Sequence, residues 1–490
     1  MNYGIEIKNL LFTNGTVKQT IFKNVVWGSA GSMVNKLLSF VLLIYAARIL
    51  GAEGYGQITF ALAFASLFII LSHFGLPSII TREFARKEGG EDEFYAILCL
   101  KIILVLLTFV LIAAVSFLTI SSSEVRILTV IIGSFLLMNS LIGTAYSFFH
   151  ARQKMEYEAW LEGVQMLLML SLGLFVLFRF PSPQNLSYVY LASAFLALLA
   201  TYVFFERKIF RLKLKCDISI WKKYLKMSLP LALSSIFAML YAYTDSVMLG
   251  YSDMFAETGW YNAAQRIVLL ALIPMGLIAS SFYPALSKLS KESGQLFQKM
   301  WDYELEIMLA LAFPVVTGGI VLASTIIFFL YTADFTPAIL ALQFSVVTVG
   351  LNFLYRPFND VMIISNHEGK MFWITLVGAG INVALNLILI PRYSLYGAAG
   401  ATVATYSLLL IVIMVFVKKF TTLRFPLARI GLTVLTSGFS AFLMYMALQY
   451  LLLSHMHVVL LMLVGAAVYL FAFLGFRKFV VTKYFKQVYA

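Results

Sequence analysis

VVWGSAGSMVNKLLSFVLLIYAARILGAEGYG, running from Val25 to Gly56, is the stretch whose reading decides the fold. Its apolar run extends to Leu50, interrupted by Asn35-Lys36, and closes on Ala47-Arg48-Ile49-Leu50-Gly51-Ala52-Glu53-Gly54-Tyr55-Gly56. A helix rises about 1.5 Å per residue, which puts Lys36 roughly 17 Å into a hydrocarbon layer about 30 Å thick. An ammonium at that depth costs at least about 2.5–3.5 kcal/mol. Snorkelling along its four-carbon stem is the alternative, but Lys36 is too central to reach either surface comfortably. The stretch predicts a spanning helix with a wet or partnered flank at Lys36.

Outward from this helix the composition agrees. The chain has 490 residues, of which 61% are apolar and 12% charged, with mean hydropathy +0.90. That excludes a string of soluble domains and predicts an all-α polytopic membrane protein; the apolar runs are too long and continuous for a transmembrane barrel. The first twenty residues have no short apolar core or small-residue cleavage site, so the first helix is expected to stay as an uncleaved anchor. Cys99 and Cys216 give no disulfide framework and no metal spacing. Hydropathy windows predict fourteen helices near 25–49, 57–81, 96–119, 126–149, 159–178, 187–205, 228–251, 259–286, 303–331, 337–364, 371–390, 398–417, 427–453 and 456–476.

The net charge of +13 would point to nucleic acid in a soluble chain. Topology explains it better here. With a cytoplasmic N-terminus, 28 of the 36 Lys and Arg fall on the inner side, among them Lys8, Lys18, Lys23, Arg82, Arg86 and Lys87. Only Arg48, Arg126, Arg179 and Arg392 fall outside. This satisfies the positive-inside rule and puts both termini in the cytoplasm. The surplus also attracts anionic inner-leaflet lipid.

The cluster Arg207, Lys208, Arg211, Lys213, Lys215, Lys222, Lys223, Lys226 divides the chain. The expected plan is a cytoplasmic segment 1–24, an N-lobe 25–205, a basic linker 206–227 acting as hinge, a C-lobe 228–417, and a peripheral helix pair with tail, 418–490. A repeat supports it. Leu50-Gly51 followed by Glu53-Gly54-Tyr55-Gly56 recurs as Leu249-Gly250 followed by Glu257-Thr258-Gly259-Trp260-Tyr261, and Arg152-Gln153-Lys154-Met155 pairs with Gly369-Lys370-Met371. Six helices per lobe make the repeat parallel.

Catalytic signatures are absent: no phosphate loop, no HExxH, no GxSxG. His367-Glu368 has no second histidine nearby. The unusual residues are intramembrane charges. Lys36 and Arg266 stand on early helices of the two lobes, and a guanidinium binds phosphate oxygens bidentately. Arg266 has no acid at helical spacing, whereas Arg356 and Asp360 are four apart and can pair. Arg48 and Arg82 sit at helix ends, where interfacial anchoring competes with substrate contact. Asp245 is a carboxylate in an apolar helix. Asn382 and Asn386 share a face and Thr402 follows, so with Asp245 they could supply oxygens to a small cation; hydrogen bonding between helices is the plainer role.

The first helix pair and the run from Asn382 through Asn386, Leu389-Ile390-Pro391 and Gly397-Ala398-Ala399-Gly400-Ala401-Thr402 resemble the polysaccharide-biosynthesis (Wzx-type) flippases of the multidrug/oligosaccharidyl-lipid/polysaccharide (MOP) exporter superfamily. The resemblance covers essentially the whole chain. It implies fourteen helices in two six-helix lobes plus a pair, and translocation of a polyprenyl-diphosphate-linked oligosaccharide across the cytoplasmic membrane by alternating access. The implied partners are that glycolipid and polysaccharide assembly proteins; no nucleic acid and no cofactor are expected. Lys36 and Arg266 fall where related lipid II flippases have cavity arginines, and Arg48, Arg82 and Arg356 extend the cationic set. Asp245, Asn382, Asn386 and Thr402 map onto a sodium site, with Asn386 where a carboxylate would be expected. Energy would come from Na⁺ or H⁺ coupling, the membrane potential, or consumption of product. A multidrug or organic-cation antiporter is the rival within the superfamily, and a membrane-embedded glycan polymerase or glycosyltransferase is the rival of another class. The short outer loops leave such an enzyme little room for its acid, base or metal groups.

Overall fold

The structure is a computed structural model and describes residues 14–86, 90–211, 213, 215–454 and 456–484. Lys8 and Lys87 lie outside the described residues. Among the described residues the chain is helical without strands. Among the same residues eleven helices are long and apolar enough to cross a membrane, or twelve with one bent pair, Ile218–Leu233 with Ser235–Tyr251. Two of the eleven, Val17–Arg86 and Glu368–Phe420, run 70 and 53 residues. At about 1.5 Å per residue each is long enough for two crossings, and dividing them brings the set to the expected fourteen.

The dividing points have local causes. Helix α1 (Val17–His73) kinks at Gly51, whose φ of 72° lies in the left-handed region that glycine reaches without steric cost. The Leu50-Gly51 signal thus marks the break between two helical segments, near the expected end of the first. The other long helix bends at Ser394, three residues after Pro391 has removed a backbone donor. Three predicted helices are also interrupted. The one at 57–81 breaks at Phe74-Gly75, both with positive φ, before α2 (Leu76–Arg86). The one at 259–286 divides at Leu272 beside Pro274, and the one at 303–331 divides at Leu322.

The chain forms two compact units that divide after Gly259. In the first, α1 packs against α3 (Glu91–Thr119), α4 (Ser123–Ala151), α5 (Met155–Arg179) and α7 (Ile218–Tyr251), and α6 (Pro183–Lys208) packs on α4 and α5. Helix 228–251, expected to open the C-lobe, is therefore packed in the first unit. The segment before it, expected as a hinge, is fastened to α3. Lys215 Nζ lies 2.9 Å from Asp92 Oδ2, Lys223 Nζ 3.1 Å from Glu93 Oε1, and the Tyr95 hydroxyl donates to the Arg211 carbonyl at 2.8 Å. Hydrogen bonds from the Ser219 hydroxyl and the Ile220 and Ser219 amides hold the Asp217 carboxyl, which caps α7, below the usual carboxylate range. The same docking brings Cys216 onto Cys99, with Cα atoms 5.8 Å apart, in a disulfide. That corrects the expectation of no disulfide: the partners are 117 residues apart and meet only because the linker folds back.

The repeated glycine signal has a structural use. A Cβ on Gly56 would fall on the Phe255 carbonyl and 2.9 Å from the Gly259 nitrogen, and one on Gly259 would fall on the Ala52 carbonyl. Helix α1 and the start of α8 (Phe255–Ala271) thus cross in backbone contact.

In the second unit, α9 (Ile273–Glu292), α10 (Gly294–Val321), α11 (Ala323–Leu330) and α12 (Ala338–Ile364) precede the kinked α13 (Glu368–Phe420) and the pair α14 (Leu427–Leu452) and α15 (Val458–Tyr484). Helix α12 packs between α10 and α13, and the final pair packs on α10. The turns after α4 and α12 match. Gln153 and Asn366 both take positive φ, and the amides of Lys154 and His367 each bond a carbonyl five residues back. This satisfies two helix C-termini in the same way.

Candidate functional site

Two kinds of buried polar group occupy the helices, and they differ between units. In the first unit Lys23 is fully buried near the start of α1. Its ammonium lies 3.0 Å from Glu156 Oε2 and donates to Asn14 Oδ1 at 2.6 Å and to the Gln153 carbonyl at 3.2 Å. Lys101 on α3, 1% exposed, donates to the Ser72 carbonyl and to Ser140 Oγ, both at 2.6 Å. The helix break at Phe74-Gly75 leaves the Ser72 carbonyl near an end of α1, where carbonyls lose their intrahelical donors. Neither lysine stood out in the sequence, where Lys23 reads as an inner-side anchor.

The residues singled out from sequence are placed as follows. Lys36 is exposed on α1 beside buried Asn35 and makes no ion pair with a described residue. Arg48 is exposed one turn before the Gly51 kink. Arg82 is exposed on α2, with Nε 3.2 Å from its neighbour Glu83. Asp245 is buried on α7 at 6% exposure. In the second unit Arg266 is half-buried on α8. Arg356 Nε lies 2.9 Å from Asp360 Oδ2 on α12, and the Asn359 amide donates to the other Asp360 oxygen at 3.3 Å. On α13 the Asn386 amide donates to Asn382 Oδ1 at 3.1 Å, and Asn382 donates to Thr405 at 3.5 Å. Both asparagines are buried, and Thr402 is half-buried one turn before Thr405.

This second-unit set carries no charge, and the Asn382 amide oxygen is already an acceptor.

Sequence reading also missed an acidic stripe at the start of α10. Asp302 accepts from Gln298 at 2.6 Å and faces Arg429 at 3.9 Å; Glu306 pairs with Arg477 and accepts from Thr433 at 3.2 Å. Glu304, between them, is fully buried, and neither of its oxygens has a hydrogen-bond partner among the described residues. Alternation of Asp302, Glu304 and Glu306 was the available signal, since no single outer face of a helix takes residues two apart.

Comparison with known proteins bears on the fold and the family. The structure is similar to that of a lipid II flippase, MurJ, in an inward closed conformation, with TM-score 0.76 and 18% identity over 93% of this chain and 100% of that one. It is also similar to an inward-facing multidrug resistance MATE family transporter of the MOP superfamily, with TM-score 0.65 and 16% identity over 84% and 99% of the two chains. In sequence it is 23% identical over 199 residues to the probable low-salt glycan biosynthesis flippase Agl15 of Haloferax volcanii, covering 40% of this chain and 42% of that protein. The chain spans about half the length of the curated relatives it matches. Its fold is thus like that of these transporters, and residues 21–290, more than half of the chain, match the family model described as polysaccharide biosynthesis protein, so that the chain belongs to that family.

Proposed function

We propose that this protein translocates a polyprenyl-diphosphate-linked oligosaccharide across the cytoplasmic membrane by alternating access of its two lobes, for surface polysaccharide assembly, with both termini cytoplasmic. The observation that carries the reading is the family match over residues 21–290. The flippase fold over 93% of the chain and the flippase among its relatives support it. No chemistry on the substrate is proposed. A diphosphate cannot cross hydrocarbon unaided, because an unpaired ion there costs many kcal/mol. Protein cations must replace its water while the polyprenyl tail stays in lipid.

Lys36 in the first unit and Arg266 in the second are proposed as head-group cations, each to be tested by itself. Lys36 is exposed and has no acid partner among the described residues. Arg48 and Arg82 are secondary candidates at helix ends. Arg356 commits Nε to Asp360 but keeps other donors of its guanidinium.

Replacing the chromosomal gene tests the reading. Loss of surface glycan, with lipid-linked precursor accumulating on the inner leaflet, is expected, and wild type restores export. Lys36→Ala or Arg266→Ala, correctly inserted, is expected not to. Normal glycan in both variants removes the phosphate-binding role. Efflux of organic cations without any effect on glycan supports the antiporter, and new glycosidic bonds formed by purified protein support a polymerase.

A further inference from the structure

Glu304 is a buried carboxylate that none of these roles uses. It has 0% exposure and, among the described residues, no hydrogen bond to either oxygen, in a helix whose neighbouring acids Asp302 and Glu306 are partnered. Burying an ionised carboxylate without a partner costs so much that the group neutralises instead. The charged groups that act on it are Asp360 and Arg356 of α12. On its own helix, Asp302 and Glu306 are taken by Arg429 of α14 and Arg477 of α15. Helix α9 offers Lys288 and Glu292, which are paired with each other and exposed, exposed Lys291 and half-buried Tyr283, and α11 offers no titratable group.

Neutralisation by a metal cation fits poorly. Arg356 already brings a positive charge to the cluster, and no group of three acids, cysteines or histidines able to hold a metal occurs among the described residues. A proton needs only one oxygen. We propose that Glu304 is a proton-binding site: its carboxylate takes a proton from water to form the neutral acid, and returns it to water when the cluster rearranges. No other bond forms or breaks. With the proton bound, Arg356 stays on Asp360, as seen here. With the proton gone, Glu304 competes with Asp360 for the one guanidinium, and α10 and α12 are pulled into a second arrangement. The Arg356 side chain is 39% exposed at the edge of the cluster. This deepens the transport reading by naming the coupling ion, and rests on that reading only for what the proton drives.

Infrared difference spectra of the full chain in liposomes, stepped in pH with Na⁺ or choline as the salt, test the site without substrate. The expected result is a protonated-carboxyl band at neutral pH that disappears as pH rises, is insensitive to Na⁺, and is missing in Glu304→Gln. Asp360→Asn, which removes the competing carboxylate and frees the Arg356 guanidinium for Glu304, is expected to lose the band at lower pH. Identical spectra in wild type and Glu304→Gln, or a band governed by Na⁺ instead of pH, would overturn the proposal. Should Glu304→Gln fail to insert, the Asp360→Asn shift decides alone, and its absence counts against the site. Glycolipid translocation measured in parallel separates the two readings. If wild type moves no glycolipid, the transport proposal falls while the spectra still judge Glu304.

Discussion

The most deeply enclosed charges of the two units differ in sign. Among the described residues, the charged side chains with at most 1% exposure are Lys23 and Lys101 in the first unit and Glu304 and Asp360 in the second. The first unit settles its cations locally: Lys23 has a carboxylate and two further acceptors, and Lys101 has a carbonyl and a hydroxyl. The second unit settles Asp360 with Arg356 and leaves Glu304 without a hydrogen bond. A buried charge with every partner in place fixes one structure, whereas one lacking partners is poised to change its protonation. The contrast assigns rigidity to the buried lysines and a switch to the buried acids.

The largest test of this contrast is Lys23→Ala. Breaking a buried pair strands the other ion, so a loss of about 3–5 kcal/mol is expected, read as a large fall in apparent melting temperature in detergent. Lys23→Met with Glu156→Leu should recover most of it. Next, Arg477→Ala leaves the buried Glu306 with Thr433, for an expected loss of about 1.5–3 kcal/mol by the same measurement. Smaller again is Lys101→Met. It gives up two hydrogen bonds but also the burial cost of an ammonium, so a change of about 1 kcal/mol is expected. Glu304→Gln should be the mildest, below about 1 kcal/mol, because no hydrogen bond is lost. A severe defect there would mean that Glu304 has a structural partner, and would erase the difference between the units.

Much of the fold could be read in advance because a bilayer imposes a simple length rule. Twenty-residue apolar windows and the Lys/Arg bias located the spans, and Gly51 announced its kink through the residue type that takes positive φ at least cost. Ser394 did not, since only Pro391 hints at a bend and serine carries no such signal. The Cys99–Cys216 bond and the Lys23–Glu156 pair escaped because their partners are 117 and 133 residues apart and nothing local joins them. Among the candidate site residues, Arg356 and Asp360 were legible as a pair because helical spacing is a local rule. The role of Glu304 was not. At a helix end an acid reads as interfacial, and only packing reveals that it is enclosed.

The most direct measurement of the central claim uses purified protein in vesicles with polyprenyl-diphosphate oligosaccharide placed in one leaflet, followed by a membrane-impermeant glycosidase. Translocation is predicted for wild type, with at least a tenfold loss in Lys36→Ala and in Arg266→Ala, which corresponds to about 1.4 kcal/mol of lost head-group binding. Sugars that stay in their original leaflet with folded wild type, or that cross equally well with both variants, would contradict it.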